Sequence, residues 1–232
     1  NQKYFRNWKV SGATTVVTKA DASSLKGCKE IIDVALKMGP VGGIFNLAVV
    51  LRDAIFENQT EKTFEESLMP KVHSTKHLSE LSELHCPNLK HFVVFSSVAC
   101  GRGNAGQTNY GLANSIMERI VENRVERGLP GKAIQWGAIG DVGLLAKLQT
   151  NNDNLEIDGT LPQDLRSCLD ALDMLLTSTE SIVSSMVVGD KQATVSSKGN
   201  IIDTILRIMA LRDRNLLSMH VTLARLGIDS LM

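Results

Sequence analysis

The stretch FSSVACGRGNAGQTNYGLAN, residues 95–114, joins the end of an apolar strand to a helix. Two serines end the strand, glycines fill the connection, and Tyr110 and Asn114 follow four residues apart. Residues four apart lie on the same face of a helix, and glycines allow a tight loop before it. The spacing therefore predicts that Ser97, at the strand end, faces Tyr110 and Asn114 on the next helix.

Apolar strands alternate with amphipathic helices along most of the chain. Strands this uniformly apolar are typical of a parallel sheet with helices on both faces. We therefore predict an α/β domain with right-handed connections between its strands. The predicted strands are 14–21, 42–50, 90–97, 132–139 and 181–190, and the predicted helices are 23–38, 60–85, 107–127 and 162–178.

Three of the predicted strands end in residues that are unusual for a packed core. These strand ends are Asn46–Ala48, Ser96–Ser97 and Trp136–Gly137. Ligands of parallel α/β sheets bind beyond the carboxyl ends of the strands. The sequence thus predicts a functional site along this single edge of the sheet.

The composition argues against several classes of protein. The 25 basic and 25 acidic residues give a formal net charge of zero, and aromatic residues make up 4% of the chain. We therefore expect neither a nucleic acid nor a membrane as partner. No secretion signal or membrane span is visible, and the four cysteines have no zinc spacing, so we predict reduced thiols and a cytoplasmic location.

Metal binding is not predicted. His73 and His77 lie four residues apart on the predicted helix 60–85, which is a spacing found in metal sites. No third ligand cluster accompanies them, so a solvated helix face is the better interpretation.

The chemistry expected at the predicted edge is proton donation to a carbonyl oxygen. A tyrosine hydroxyl has an ordinary pKa of about 10, so near neutral pH it carries a proton. A carbonyl that receives a hydride needs a proton on its oxygen, and Tyr110 can supply it. The hydroxyl of Ser97 can hold the same oxygen. A nearby lysine ammonium would favour the phenolate and lower the pKa of the tyrosine.

This pattern resembles the short-chain dehydrogenase/reductase family, in which a serine and a Tyr-x-x-x-Lys pair perform this reaction. Here Asn114 stands where that family has the lysine. In the ketoreductase domains of fatty acid and polyketide synthases the lysine comes from the preceding long helix. MPKVHSTKHL, residues 69–78, provides Lys71 at the matching place, and its Pro-Lys pair favours it over Lys76.

Three segments together resemble the ketoreductase domain of animal fatty acid synthase, namely residues 41–60, 92–111 and 136–143. The resemblance implies a Rossmann-like sheet and NADPH as cofactor. The implied catalytic residues are Lys71, Ser97, Tyr110 and Asn114. The implied cofactor-binding residues are Asp21, Asn46, Ala48, Lys71 and Tyr110.

Two features depart from the family pattern. The Gly-rich turn that holds the cofactor pyrophosphate is absent from the sequence, as are the first strands of the sheet, and we expect both upstream of Asn1. Asp53 stands where related ketoreductases carry a motif that marks product stereochemistry, and a helix-capping role is an equally good interpretation.

The chain is predicted to contain more than the reductase. Residues 1–189 would form the truncated ketoreductase domain, 190–200 a polar linker, and 201–232 the helical start of an acyl carrier protein domain. The ending LGIDSL resembles the attachment motif for 4'-phosphopantetheine, with Ser230 as the modified serine. A helix-capping role is the alternative for Ser230.

The predicted activity is the NADPH-dependent reduction of a 3-oxoacyl thioester to the 3-hydroxyacyl thioester within a cytosolic fatty acid synthase. The expected partners are the acyl thioester on a carrier domain, the other domains of the same synthase, and a second copy in a homodimeric parent. Two alternatives stay open. One is a reducing polyketide synthase module, and the other is a non-catalytic carrier or scaffold fragment.

Overall fold

The computed structural model describes residues 2–140 and 160–188. All of them belong to one compact unit, Asn1–Gly189. A second unit, Asp190–Met232, contains the predicted linker and Ser230 and lies outside the described residues. The described helices are α1 Gln2–Val10, α2 Leu25–Met38, α3 Glu61–Leu68, α4 Ser74–His85, α5 Ala99–Arg102, α6 Thr108–Glu126 and α7 Leu165–Thr177. The described strands are β1 Gly43–Asn46, β2 His91–Ser97, β3 Lys132–Trp136, β4 Thr160–Leu161, β5 Ile182–Ser185 and β6 Val187–Val188.

Four of these strands form a parallel sheet in the order β1-β2-β3-β5. The register pairs Asn46 with Val94 and pairs Ser97 with Trp136, so the carboxyl ends of β1, β2 and β3 lie along one edge. The short strands β4 and β6 pair antiparallel in a separate ladder. The predicted α/β fold and the predicted edge are therefore confirmed.

Hydrophobic cores lie on both faces of the sheet, because side chains of a strand alternate between its faces. Phe92 and Val94 of β2 pack with residues of α2, α4 and α6 on one face. Val93 of β2 packs with Cys168 and Leu172 of α7 on the other. Burial on both faces of the sheet therefore explains the near-continuous apolar strands, as the sequence predicted.

One predicted strand was wrong. Residues 14–21 form no strand, and Val16 and Val17 are exposed. A strand needs a neighbour to receive its backbone hydrogen bonds, and no strand of the described part of the chain pairs with this segment. The predicted strand 42–50 is also shorter than expected, since β1 ends at Asn46, whose side chain accepts a hydrogen bond from the Ala48 amide at 3.0 Å.

The predicted helix 60–85 is interrupted by a π-helical turn, Met69–His73, which joins α3 to α4. Pro70 lies in this turn, and proline lacks the N–H that a regular helix requires. Such π turns are frequently found at functional sites. Lys71, the predicted catalytic lysine, is in the middle of this one.

Candidate active site

The Ser97–Tyr110 pair is formed where β2 ends and α6 begins. Ser97 is the last residue of β2, and its hydroxyl accepts a hydrogen bond from the Ala99 amide at 3.2 Å. Gly106, just before α6, has a φ of 79° that favours glycine. Its carbonyl accepts from the Ala54 amide at 2.9 Å, which ties the loop after β1 to the start of the helix.

Burial dominates the electrostatics of Tyr110 and raises its pKa above the ordinary value. Interaction with the side chains of Asn114 and Ser97 acts in the opposite direction, and the nearby Asp53 carboxylate adds to the increase. The phenol therefore keeps its proton at neutral pH, as a proton donor must. The structure brings Tyr110, Ser97 and Asn114 together.

Lys71 reaches the same place from the π turn. Its ammonium Nζ lies 5.2 Å from the centre of the Tyr110 ring and donates a hydrogen bond to the Phe95 carbonyl at 2.9 Å. The side chain is only 3% exposed, and burial lowers the pKa of Lys71 from 10.5 to about 8. Lys76 is exposed on α4, so the geometry favours Lys71 as the lysine of the site.

The amide nitrogen of Asn46 is bonded to residues that directly follow the π turn, so it supports that turn and is not free to bind a ligand. Its Nδ2 donates to the hydroxyls of Ser74 and Thr75 at 2.7 and 2.9 Å. The Thr75 hydroxyl donates in turn to the Lys71 carbonyl at 2.5 Å. Asn46, predicted as a cofactor-binding residue, therefore links the end of β1 to the backbone of Lys71.

Asn114 is the least satisfied polar side chain at the site. It is fully buried, and neither its amide nitrogen nor its amide oxygen has a hydrogen-bond partner among the described residues. Buried amides in folded proteins are nearly always paired. The unpaired amide beside Tyr110 therefore marks a position where a bound molecule or a water would complete the hydrogen bonding.

Asp21 and Ala48 are the remaining predicted cofactor-binding residues, and neither contacts Tyr110 through a hydrogen bond among the described residues. A cavity of about 380 Å³ opens along the whole of β1 and against α2, and its lining includes Ala22, Asn46 and Ala48. Asp21 is exposed next to Ala22, and hydrogen bonds from the Ser23 side chain and backbone lower the pKa of its carboxyl. The structure thus gives Asp21 a local role in the turn before α2.

Asp53 accepts a hydrogen bond from the Gln107 side chain at 3.0 Å. Gln107 immediately precedes α6, so this contact attaches the loop after β1 to the start of the tyrosine helix. The contact is made to a side chain, so it differs from the backbone capping that the sequence left open as an alternative.

Sequence reasoning overlooked a second set of polar residues behind the site. Glu118 of α6 is buried and accepts a hydrogen bond from Ser96, the neighbour of Ser97. The available signal was its spacing, since Tyr110, Asn114 and Glu118 repeat every four residues. Ser74 and Thr75 were also overlooked, because a predicted regular helix gave them no special role.

Comparison with known families identifies the domain. The family model described as KR domain matches residues 1–141, so the chain belongs to the ketoreductase (KR) domain family. Among curated relatives, the hybrid PKS-NRPS synthetase buaA of Petromyces alliaceus is 38% identical over 151 residues, which are 65% of this chain and 4% of the relative. The highly reducing polyketide synthase poxF of Penicillium oxalicum is 31% identical over 156 residues, 67% of this chain and 6% of the relative. The chain therefore spans only a small part of these relatives.

Solved structures agree with this assignment. An N-terminal ketoreductase from the macrolactin assembly line has a TM-score of 0.69 and 27% identity, covering 82% of this chain and 37% of that one. An A1-type ketoreductase has a TM-score of 0.72 at 22% identity, covering 81% of this chain and 39% of that one, which supports the fold alone.

The predicted ketoreductase domain is therefore confirmed as a family and as an oxidoreductase class. The specific resemblance to animal fatty acid synthase is not supported in the same way, because the relatives described above are polyketide synthases and favour the alternative that the sequence left open. None of the helices in residues 2–140 and 160–188 is long and apolar enough to cross a membrane.

Proposed function

We propose that this domain reduces a 3-oxoacyl thioester to the 3-hydroxyacyl thioester with NADPH, inside a multidomain synthase. The observation that carries the proposal is the convergence of three side chains on one phenol. The Ser97 and Asn114 side chains lie near enough to Tyr110 to favour its ionised form, and the Lys71 ammonium lies 5.2 Å from its ring. This set of groups is suited to placing a proton on a carbonyl oxygen.

Each residue has a distinct role in the proposed reaction. Tyr110 donates the proton of its hydroxyl to the 3-oxo oxygen of the substrate. Ser97 holds that oxygen by a hydrogen bond. Lys71 stabilises the phenolate that Tyr110 becomes, because an opposite charge favours the ionised form.

The residues of the site are compatible with a nicotinamide cofactor. The unpaired Asn114 amide lies beside Tyr110, and the cavity along β1 reaches Asn46 and Ala48 at the carboxyl edge of the sheet, where such cofactors bind in this class of fold. Asn46, Ala48, Lys71 and Tyr110 are the residues proposed to hold it, with Asp21 as a further candidate. When bound, NADPH supplies the hydride.

The direct test is the substitution Tyr110→Phe in the full-length protein, which removes the donor and keeps the ring. Loss of general acid catalysis is worth about 10²- to 10⁴-fold, so we expect a rate loss of that size with NADPH binding retained. Tyr4→Phe is the matched control, because the sequence has two tyrosines. Turnover of the Tyr110 variant within a few-fold of wild type would refute the proposed role.

The type of synthase follows from the relatives. Those described above are a hybrid PKS-NRPS synthetase and a highly reducing polyketide synthase, so we favour a polyketide synthase module over the fatty acid synthase predicted first. In either case the substrate would be carried on a 4'-phosphopantetheine arm, with Ser230 as the proposed attachment residue. Steady-state rates with unbranched and α-methyl 3-oxoacyl thioesters distinguish the two, because a polyketide reductase is expected to accept both.

A further inference from the structure

A buried polar cluster lies behind the proposed active site. Glu118 of α6 is 4% exposed, and its Oε1 accepts hydrogen bonds from the Ser96 hydroxyl at 2.5 Å and from the Gln135 amide at 3.0 Å. Its Oε2 accepts from the Cys100 thiol at 3.5 Å. None of the salt bridges among the described residues involves Glu118. A carboxylate in this position is thus held by hydrogen bonds alone.

The cluster joins four elements of the domain. Ser96 is on β2, Gln135 is on β3, and Glu118 is on α6. The Ser184 hydroxyl on β5 donates to the side-chain amide oxygen of Gln135 at 2.8 Å, which turns the side-chain amide nitrogen of Gln135 toward Glu118. The orientation of the Gln135 amide, one of the two donors to Oε1, is therefore fixed by the protein.

A buried carboxylate without a cation is a costly way to hold a helix on a sheet, since an apolar side chain would fill the same space. Hydrogen bonds, however, define the position of the helix on the sheet, because their strength depends on distance and angle. Glu118 follows Tyr110 by eight residues, so the two lie about 12 Å apart along α6. Ser96 directly precedes Ser97. A contact between Glu118 and Ser96 thus fixes the tyrosine helix against the serine strand.

We infer that Glu118 is a positioning residue for the reductase, which sets the distance between the Tyr110 and Ser97 hydroxyls through its bond to Ser96. This inference rests on the proposed function. A displacement of about 1 Å at a reacting group can reduce the rate by about 10²-fold. Glu118→Leu is therefore expected to lower kcat by about 10- to 100-fold, with KM changed by less than about threefold.

The conservative variant separates position from charge. Glu118→Gln keeps a carbonyl oxygen that can accept from both Ser96 and Gln135, so its kcat should stay within about threefold of wild type. Glu122→Leu is the control, because Glu122 is one turn further along α6 and pairs with the exposed Arg119 instead of the buried cluster. It should leave kcat and KM unchanged.

The experiment measures steady-state reduction of a 3-oxoacyl N-acetylcysteamine thioester by NADPH in the full-length protein, with rates normalised to NADPH-binding sites. Ser96→Ala removes only the strand partner, and it provides the test if Glu118→Leu does not fold. We expect about a tenfold fall in kcat, and no further loss when the two changes are combined. A wild-type kcat for Ser96→Ala or Glu118→Leu overturns the inference. So does a Gln variant as impaired as the Leu variant.

Failure of this inference can be told apart from failure of the proposed function. Tyr110→Phe is assayed in parallel. If that variant stays active, the proposed function is wrong. If it is inactive while the Glu118 and Ser96 variants turn over normally, only the positioning role is wrong.

Discussion

Replacing Lys71 by methionine should make the domain more stable and less active at the same time. Lys71 is 3% exposed, and burial lowers the pKa of its ammonium from 10.5 to about 8. Since each pKa unit corresponds to about 1.4 kcal/mol, this burial costs roughly 3 kcal/mol at neutral pH. Loss of the hydrogen bond to the Phe95 carbonyl offsets about 1 kcal/mol of the gain. We expect Lys71→Met to raise the free energy of unfolding by roughly 2 kcal/mol at pH 7.

The effect depends on pH in a defined direction. Below pH 8 the folded and unfolded chains both carry the Lys71 proton, so the cost is fully present. Between about pH 8 and 10.5 the unfolded chain binds a proton that the folded chain has lost, so wild-type stability rises with pH. The difference between wild type and Lys71→Met should therefore shrink over this interval. The wild-type rate should fall as pH rises through about 8, because the ammonium is lost.

The assay is urea-dependent pulse proteolysis of this domain within the full-length protein, which reports the unfolded fraction. Lys76→Met is the control, because Lys76 lies on α4, which directly follows the π turn of Lys71, and is exposed. It should change stability by less than about 0.5 kcal/mol. Equal stability of wild type and Lys71→Met at pH 7, or a difference that does not change up to pH 10, would refute the electrostatic argument.

Two further predictions concern the support of the site and the end of the chain. Asn46→Ala removes the donor to Ser74 and Thr75. It should lower the free energy of unfolding by about 1–3 kcal/mol and should also lower kcat. Asn88→Ala, at an exposed asparagine, is the control, and equal stability of the two variants would contradict this role. Ser230 should gain the mass of phosphopantetheine when the full-length protein is incubated with coenzyme A and a phosphopantetheinyl transferase, and Ser230→Ala should not; modification that persists in the variant would place the arm elsewhere.

The fold was predictable because the composition of its strands indicates that both of their faces are buried. Phe92, Val93 and Val94 are apolar in succession, which is the pattern of a strand covered on both faces. The segment 14–21 also has adjacent apolar residues, Val16 and Val17, and forms no strand. Pairing with a neighbour decides whether such a segment becomes a strand, and a local pattern contains no information about that neighbour.

The site was predictable where spacing along one element determined it, and not where contacts cross elements. Tyr110 and Asn114 lie on one helix, and the helical repeat places them together. Lys71 came only from the resemblance, because a regular helix would not by itself direct it toward Tyr110. The π turn and the bond between Asn46 and Thr75 direct it there, and that bond joins residues far apart in sequence.

The charge of the Lys71 ammonium underlies both the stability prediction and the proposed mechanism. Burial favours the neutral forms of Lys71 and Tyr110, which lowers the pKa of the ammonium and raises that of the phenol. Before proton transfer, the Lys71 ammonium has a neutral phenol beside it and its burial is largely uncompensated. After Tyr110 gives its proton to the substrate oxygen, the phenolate attracts the ammonium in a poorly solvated place, where such attraction is strong. The interaction is therefore stronger as the reaction proceeds than before it starts, which is the condition for an interaction to accelerate a chemical step.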